Sequence, residues 1–216
     1  MTYKLICFDL DGTLVDGTDS IWQTLHDHFG TDKVLREEMM RKAIQKEITY
    51  AEWFYQDLHL FARHGATKEI ILQVVRNLTL IPGARETVEI LKEAGYRLAV
   101  ISGSLNIVLE ELFPDHPFHH VLINEIHFDP EGRLIGGLPT PFDLEEKAIG
   151  MRMIAEKEQL SLDECVFVGD NENDVDAARV VGLAFSFNSK SPLLDTIANV
   201  VIREKDLRNL LDYLNV

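Results

Sequence analysis

The chain has 216 residues, enough for one sizeable α/β core or for a core with a small second domain inserted in it, and too few for two full independent domains. Hydrophobic residues make up 46% and charged residues 26%, a soluble globular balance that excludes a fibrous or disordered chain. A formal net charge of -15 argues against nucleic acid and anionic membrane surfaces as partners, because both are held largely by clustered Lys and Arg.

The first ten residues lack the longer apolar stretch and small-residue cleavage site of a secretory signal, and Leu5 to Phe8 is too short to span a bilayer. The two cysteines, Cys7 and Cys165, each sit inside an apolar run and read as reduced core thiols. A cytoplasmic location follows as the expectation.

In chain order, Leu5 to Phe8 is a continuous apolar run of strand length, of the kind buried on both faces of a parallel sheet, and Asp9 interrupts it. Residues 17–80 then carry helical patterns and no convincing strand, with breaks at Gly30, Thr49 and Gly65. Thr67 opens the last of these helices through Ile70, Ile71, Val74 and Val75, and Pro82-Gly83 marks a return. That stretch reads as an inserted helical cap, dividing the chain into a core of residues 1–16 and 81–216 and a cap of 17–80. Trp22, Tyr50, Trp53, Phe54 and Tyr55 supply the cap's own small core, or else a pocket for an apolar or cationic group.

Beyond the cap, a helix carries Val88, Leu91 and Ala94 and stops at Gly95. Leu98 to Ile101 forms a second strand run followed by Ser102, and Ile126 to Ile135 forms a hairpin around Pro130-Glu131-Gly132. A helix runs from Leu144 through Ile149, Met153 and Ile154. Val166 to Val168 is the next strand run, followed by Gly169 and Asp170, and Leu183 to Phe187 and Val200 to Ile202 complete the set. This alternation predicts a doubly wound parallel sheet, whose ligands bind outside the carboxyl ends of the strands.

The polar residues ending these runs carry the chemistry. Asp9 and Asp11, two residues apart at a strand end, point the same way, and two close anions raise a pKa or recruit a cation. A hard dication with oxygen ligands, such as Mg²⁺, is the usual remedy. Asp170 and Asp174 add carboxylates from a neighbouring strand end, although alone they fit a loop with a helix cap better. Ser102 alone fits a strand-end turn, and Lys147, beside Glu145 and Glu146, fits a solvated helix residue.

Taken together and in order, these four motifs resemble the haloacid dehalogenase superfamily and, within it, the phosphoserine phosphatase-like branch. Asp9 to Thr13 fits Asp-x-Asp-x-Thr, Val100 to Gly103 fits an apolar strand ending in Ser, Lys147 fits the lone Lys, and Gly169 to Asp174 fits Gly-Asp-x-x-x-Asp. The resemblance implies a Rossmann-like core and an Mg²⁺-dependent phosphomonoesterase acting on a small phosphorylated metabolite. It implies that Asp9 attacks phosphorus, and that Asp11 protonates the leaving oxygen and later activates water. Thr13, Ser102, Gly103 and Lys147 would hold the phosphate, and Asp9, the Asp11 carbonyl, Asp170 and Asp174 the metal. Phosphoryl transfer needs the same parts: an in-line nucleophile, a proton donor and positive charge on the equatorial oxygens. Amides of the Gly12 and Gly103 turns would add donors.

In the cap the resemblance thins. Phosphoserine-specific members resemble one another in an acidic residue soon after the first motif and an Arg in the cap. This chain offers Thr18, beside Asp19, at the first place, and Trp53 and Asp57 without Arg at the second. Arg41, Arg63 and Arg76 are the substitutes within reach. A phosphotransferase to an alcohol acceptor shares the same aspartyl-phosphate, and a phospho-accepting signalling module shares the acidic cluster and Lys. Asp11 and the cap weigh against the module, since a proton donor beside the nucleophile serves turnover. Dehalogenation would leave Asp11 and Asp170 idle.

Overall fold

The computed structural model describes residues 3–142 and 146–216. Strand β1 (Leu5–Phe8) is fully buried, with Ile6 and Phe8 in one apolar cluster and Leu5 and Cys7 in another on the opposite face. Such two-sided burial requires helices on both sides. β2 (Val15–Asp16) follows, and then four helices: α1 (Ile21–Phe29), α2 (Lys33–Ile44), α3 (Tyr50–Arg63) and α4 (Lys68–Val75). Their starts and stops follow local chemistry. Gly30 ends α1 in the left-handed region, Thr49 and Glu52 form a capping box on α3, and the Thr67 hydroxyl accepts from the Ile70 amide at the head of α4.

β3 (Thr79–Leu80) pairs antiparallel with β2, Val15 opposite Leu80 and Asp16 opposite Thr79. This ladder brings the two ends of the helical stretch together, where periodicity showed no strand because two residues carry none. Next come α5 (Ala84–Glu93), β4 (Arg97–Leu105), α6 (Asn106–Leu112), β5 (His120–Phe128) and β6 (Leu134–Leu138). After α7 (Lys147–Lys157) the chain alternates through β7 (Cys165–Gly169), α8 (Val175–Ala178), β8 (Leu183–Phe187), α9 (Pro192–Ile197) and β9 (Val200–Ile202). Leu144, expected to open α7, lies outside the described residues.

The seven-stranded sheet runs β6-β5-β4-β1-β7-β8-β9, parallel throughout except for the β5–β6 hairpin. β1 lies between β4 and β7, which brings three strand ends side by side. β4 does not stop at Ile101 as expected. It continues past a register shift to Leu105, carrying Ser102 and Gly103 inside the strand. Helices α1, α3 and α4 share one interior with the sheet: Trp22, Leu25, Phe54, Phe61 and Ile71 belong to the same apolar cluster as Phe8, Leu10 and Val100. α2 is the exception, burying only Ala43 and leaving Val34 and Ile44 exposed. Cys7 and Cys165 are buried free thiols, and burial pushes both thiol pKa values up. No helix among the described residues is long and apolar enough to cross a membrane.

Candidate active site

Where β1 ends, the Asp9 amide donates to the Val168 carbonyl at 2.9 Å, so the loop begins tied to β7. The chain then turns tightly, Leu14 N to Leu10 O at 2.9 Å and Gly12 N to Val15 O at 2.8 Å. The Gly12 amide, expected as a phosphate donor, is therefore spent inside the loop. Gly12 has φ +81, and a Cβ there would stand 2.3 Å from Asp170 Oδ2, so both the backbone and the close approach of Asp170 require glycine. Thr13 is fully buried and its hydroxyl donates to Asp170 Oδ1 at 3.4 Å.

Lys147, the first residue of α7, is wholly buried with its Nζ 2.7 Å from Asp9 Oδ1 and 2.6 Å from Asp174 Oδ1. Burial alone would favour the neutral amine, but Asp174 and Asp9 outweigh it and hold the pKa above the ordinary lysine value. The other Asp174 oxygen accepts from the Asp170 and Asn171 amides at 2.9 and 3.0 Å, which fixes the loop after β7. Burial, then Asp9, raises the pKa of Asp170, and burial raises that of Asp174 against the pull of Lys147.

Asp11 sits apart from that cluster. Its Oδ2 accepts from the Ile21 amide at 2.8 Å and its Oδ1 from the Ser104 hydroxyl at 2.9 Å. Burial pushes its pKa up to about 6, opposed by the Ile21 hydrogen bond and assisted by Asp9. Ser102, at the end of the apolar part of β4, receives the Ser104 amide at 3.2 Å. The Gly103 carbonyl is held by Trp22 Nε1 at 2.8 Å and Asn124 Nδ2 at 2.7 Å, one from the cap and one from β5. Sequence reasoning missed Ser104 because a second serine after Ser102 carries no periodic signal.

The acidic cluster fits a divalent cation. Asp9, Asp170 and Asp174 each offer an oxygen, all within 4.8 Å of one another. Four carboxylates, the buried Asp9, Asp11 and Asp174 and the partly buried Asp170, face the single buried ammonium of Lys147 among the described residues. Buried charge so unbalanced either protonates or takes a cation, and an all-oxygen donor set suits Mg²⁺.

A cavity of about 740 Å³ opens above Asp9, Asp11, Ser102 and Gly103. α2 walls it with Met40, Ala43 and Ile44, and Lys46 follows just after; opposite stand Asn171, Glu172, Asp176 and Leu193. Of the four cap residues expected near substrate, Asp19 lines this cavity and pairs with Lys190. Thr18 instead bonds Thr24 at 2.7 Å. Trp53 packs edge-on to Tyr50 and is not part of the lining. Asp57 is 3% exposed inside the cap, 3.2 Å from His26 Nε2 without hydrogen-bond alignment. It lies beside His26 of α1 and is not part of the cavity lining. Arg41 bonds Gln45 and Glu47, and Arg76 bonds Glu111; no arginine lines the cavity among the described residues.

A model of the haloacid dehalogenase-like hydrolase family matches residues 3–182. A phosphoserine phosphatase of Methanocaldococcus jannaschii is 32% identical over 221 residues, covering 98% of this chain and 97% of that one. A phosphoserine phosphatase of Archaeoglobus fulgidus is 32% identical over 203 residues, covering 93% of this chain, which spans only 57% of that relative's length. Among solved structures, a phospho-aspartyl intermediate analogue of phosphoserine phosphatase superposes with a TM-score of 0.78 at 25% identity, covering both chains in full.

Proposed function

The chain belongs to the haloacid dehalogenase-like hydrolase family, and from that premise we propose that it is a phosphomonoesterase working through an aspartyl-phosphate on Asp9. One observation carries the reading: Asp9, beneath the cavity, shares a cluster with Lys147, Asp170 and Asp174, while Asp11 stands two residues on, held separately. In this reading the Asp9 carboxylate attacks phosphorus and the bond to the leaving oxygen breaks as Asp11 donates its proton. Water then attacks the phosphorus, Asp11 takes the water's proton, and inorganic phosphate departs with Asp9 restored. Lys147 offsets charge on the nucleophile side, and Ser102, beside Asp11 on the cavity wall, is placed to donate to a phosphate oxygen. Asp9, the Asp11 carbonyl, Asp170 and Asp174 would hold Mg²⁺, which supplies positive charge to the transferring group when bound. Thr13 secures Asp170, and residues 17–80 act as the cap.

The substrate class is a small phosphorylated metabolite, and Asp19 is the cap residue we assign to it. The test is phosphate release from a panel of phosphorylated metabolites, with mass analysis of rapidly quenched enzyme. A phosphoryl group on the peptide carrying Asp9, and no turnover by folded Asp9→Asn, are expected. Turnover by Asp9→Asn at the native rate would move the nucleophile elsewhere.

A further inference from the structure

We propose that Ser104 is a positioning residue for Asp11, locking the plane of its carboxylate toward the leaving group; this rests on the phosphatase reading above. The terminal torsion of an Asp side chain is broad, so a carboxylate held by one donor swings about its Cβ–Cγ bond. Asp11 has two donors on its two oxygens, from two different parts of the fold. The Ile21 amide, at the head of the cap helix α1, takes Oδ2 at 2.8 Å, and the Ser104 hydroxyl, from the far end of β4, takes Oδ1 at 2.9 Å. Ser104 is 3% exposed and lines the cavity beside Ser102, so little of its surface competes for water while its hydroxyl serves Asp11.

The local backbone makes this placement possible. β4 shifts register between Ile101 and Leu105, and Ser104 points at Asp11 while its amide is used on Ser102 Oγ. The Gly103 carbonyl is clamped by Trp22 and Asn124, which keeps the shifted segment from relaxing. A group that must deliver a proton along one direction loses rate steeply when tilted, because catalysis depends on near-attack geometry. The hydroxyl, given over to Asp11, therefore acts on leaving-group departure through that carboxylate.

The experiment compares Ser104→Ala with wild type on an alkyl phosphate, whose alkoxide must be protonated as it leaves, and on p-nitrophenyl phosphate, whose phenolate need not be. Alanine keeps the backbone amide that serves Ser102 and removes only the hydroxyl. Because kcat/KM reports the steps up to leaving-group release, it should fall about tenfold to a hundredfold for the alkyl phosphate, on the scale of a lost hydrogen bond to a charged group. For the aryl phosphate it should change by less than about threefold. Ser104→Cys, nearly the same size and a weak donor, should fall between. In an Asp11→Asn background Ser104→Ala should add almost nothing, the coupling expected of two groups acting as one unit. Equal losses on both substrates, or an undiminished further loss in the Asp11→Asn background, would overturn the assignment while leaving the phosphatase reading intact. Wild-type enzyme that releases phosphate from neither substrate would overturn both.

Discussion

Replacing Lys147 by Met tests the electrostatics of the site on the protein alone, with no substrate. Lys147 makes two hydrogen bonds, at 2.7 Å to Asp9 and 2.6 Å to Asp174, and is fully buried. Hydrogen bonds to charged groups contribute about 1.5–3 kcal/mol each, and removing one partner of a buried ion pair costs about 3–5 kcal/mol because the charges left behind are unpaired. For a chain of this size each kcal/mol shifts Tm by about 2–4 °C, so Lys147→Met should melt about 6–20 °C below wild type. The pH dependence has a definite sign. The folded pKa of Lys147 lies above its ordinary value of 10.5, so the lysine's contribution is fully present below that value and does not change between pH 5 and 8. In the variant the raised carboxylates decide instead. Burial already lifts Asp174 and Asp170, and loss of the cation lifts them further, so the folded state binds more protons than the unfolded chain. Stability of the variant then falls as pH rises above the ordinary carboxylate range, and its deficit should be larger at pH 7.5 than at pH 5. Thermal melts in EDTA-treated buffer at both pH values measure this. A variant within about 2 °C of wild type at pH 7.5 would refute the account of Lys147 as the cluster's counter-charge.

Two further outcomes are expected. Mg²⁺ at about a hundred times its Kd should raise Tm of the chelated protein by the equivalent of about 2.7 kcal/mol, and by less at pH 5, where raised carboxylates are protonated; an unchanged Tm at pH 7.5 would remove the metal from the carboxylate cluster. With no arginine on the cavity wall among the described residues, phosphoserine and phosphoethanolamine should give comparable kcat/KM, whereas a phosphoserine advantage of about a thousandfold would require a buried carboxylate partner.

The parts of the fold that could be read from the sequence are those governed by short-range rules. Leu183 to Phe187 and Val200 to Ile202 are strands with the expected boundaries, since strands buried on both faces must be continuously apolar. Thr49, Thr67, Gly30 and Gly95 punctuate helices through their own backbone and hydroxyl chemistry. The end of β4 misled because Ser-Gly-Ser has a turn's composition. The strand is prolonged by partners far away in sequence, Trp22 and Asn124, which hold the Gly103 carbonyl. Asp57 misled for a related reason: an acid among aromatics reads as a ligand group, and only the packing of α3 on α1 reveals His26 beside it.

The order of the residues determined that Asp9 and Asp170 follow apolar strand runs, that Ser102 follows the apolar part of β4, and that a lysine and two further carboxylates accompany them, because chemical identity is local. The tertiary structure alone decided how they divide. Lys147, Asp9, Asp170 and Asp174 gather in one buried cluster, while Asp11 is drawn away to the Ile21 amide and the Ser104 hydroxyl. That partition depends on which strands become neighbours and where a helix begins, contacts spanning 10 to 138 residues of chain, and no pattern within a short window encodes them.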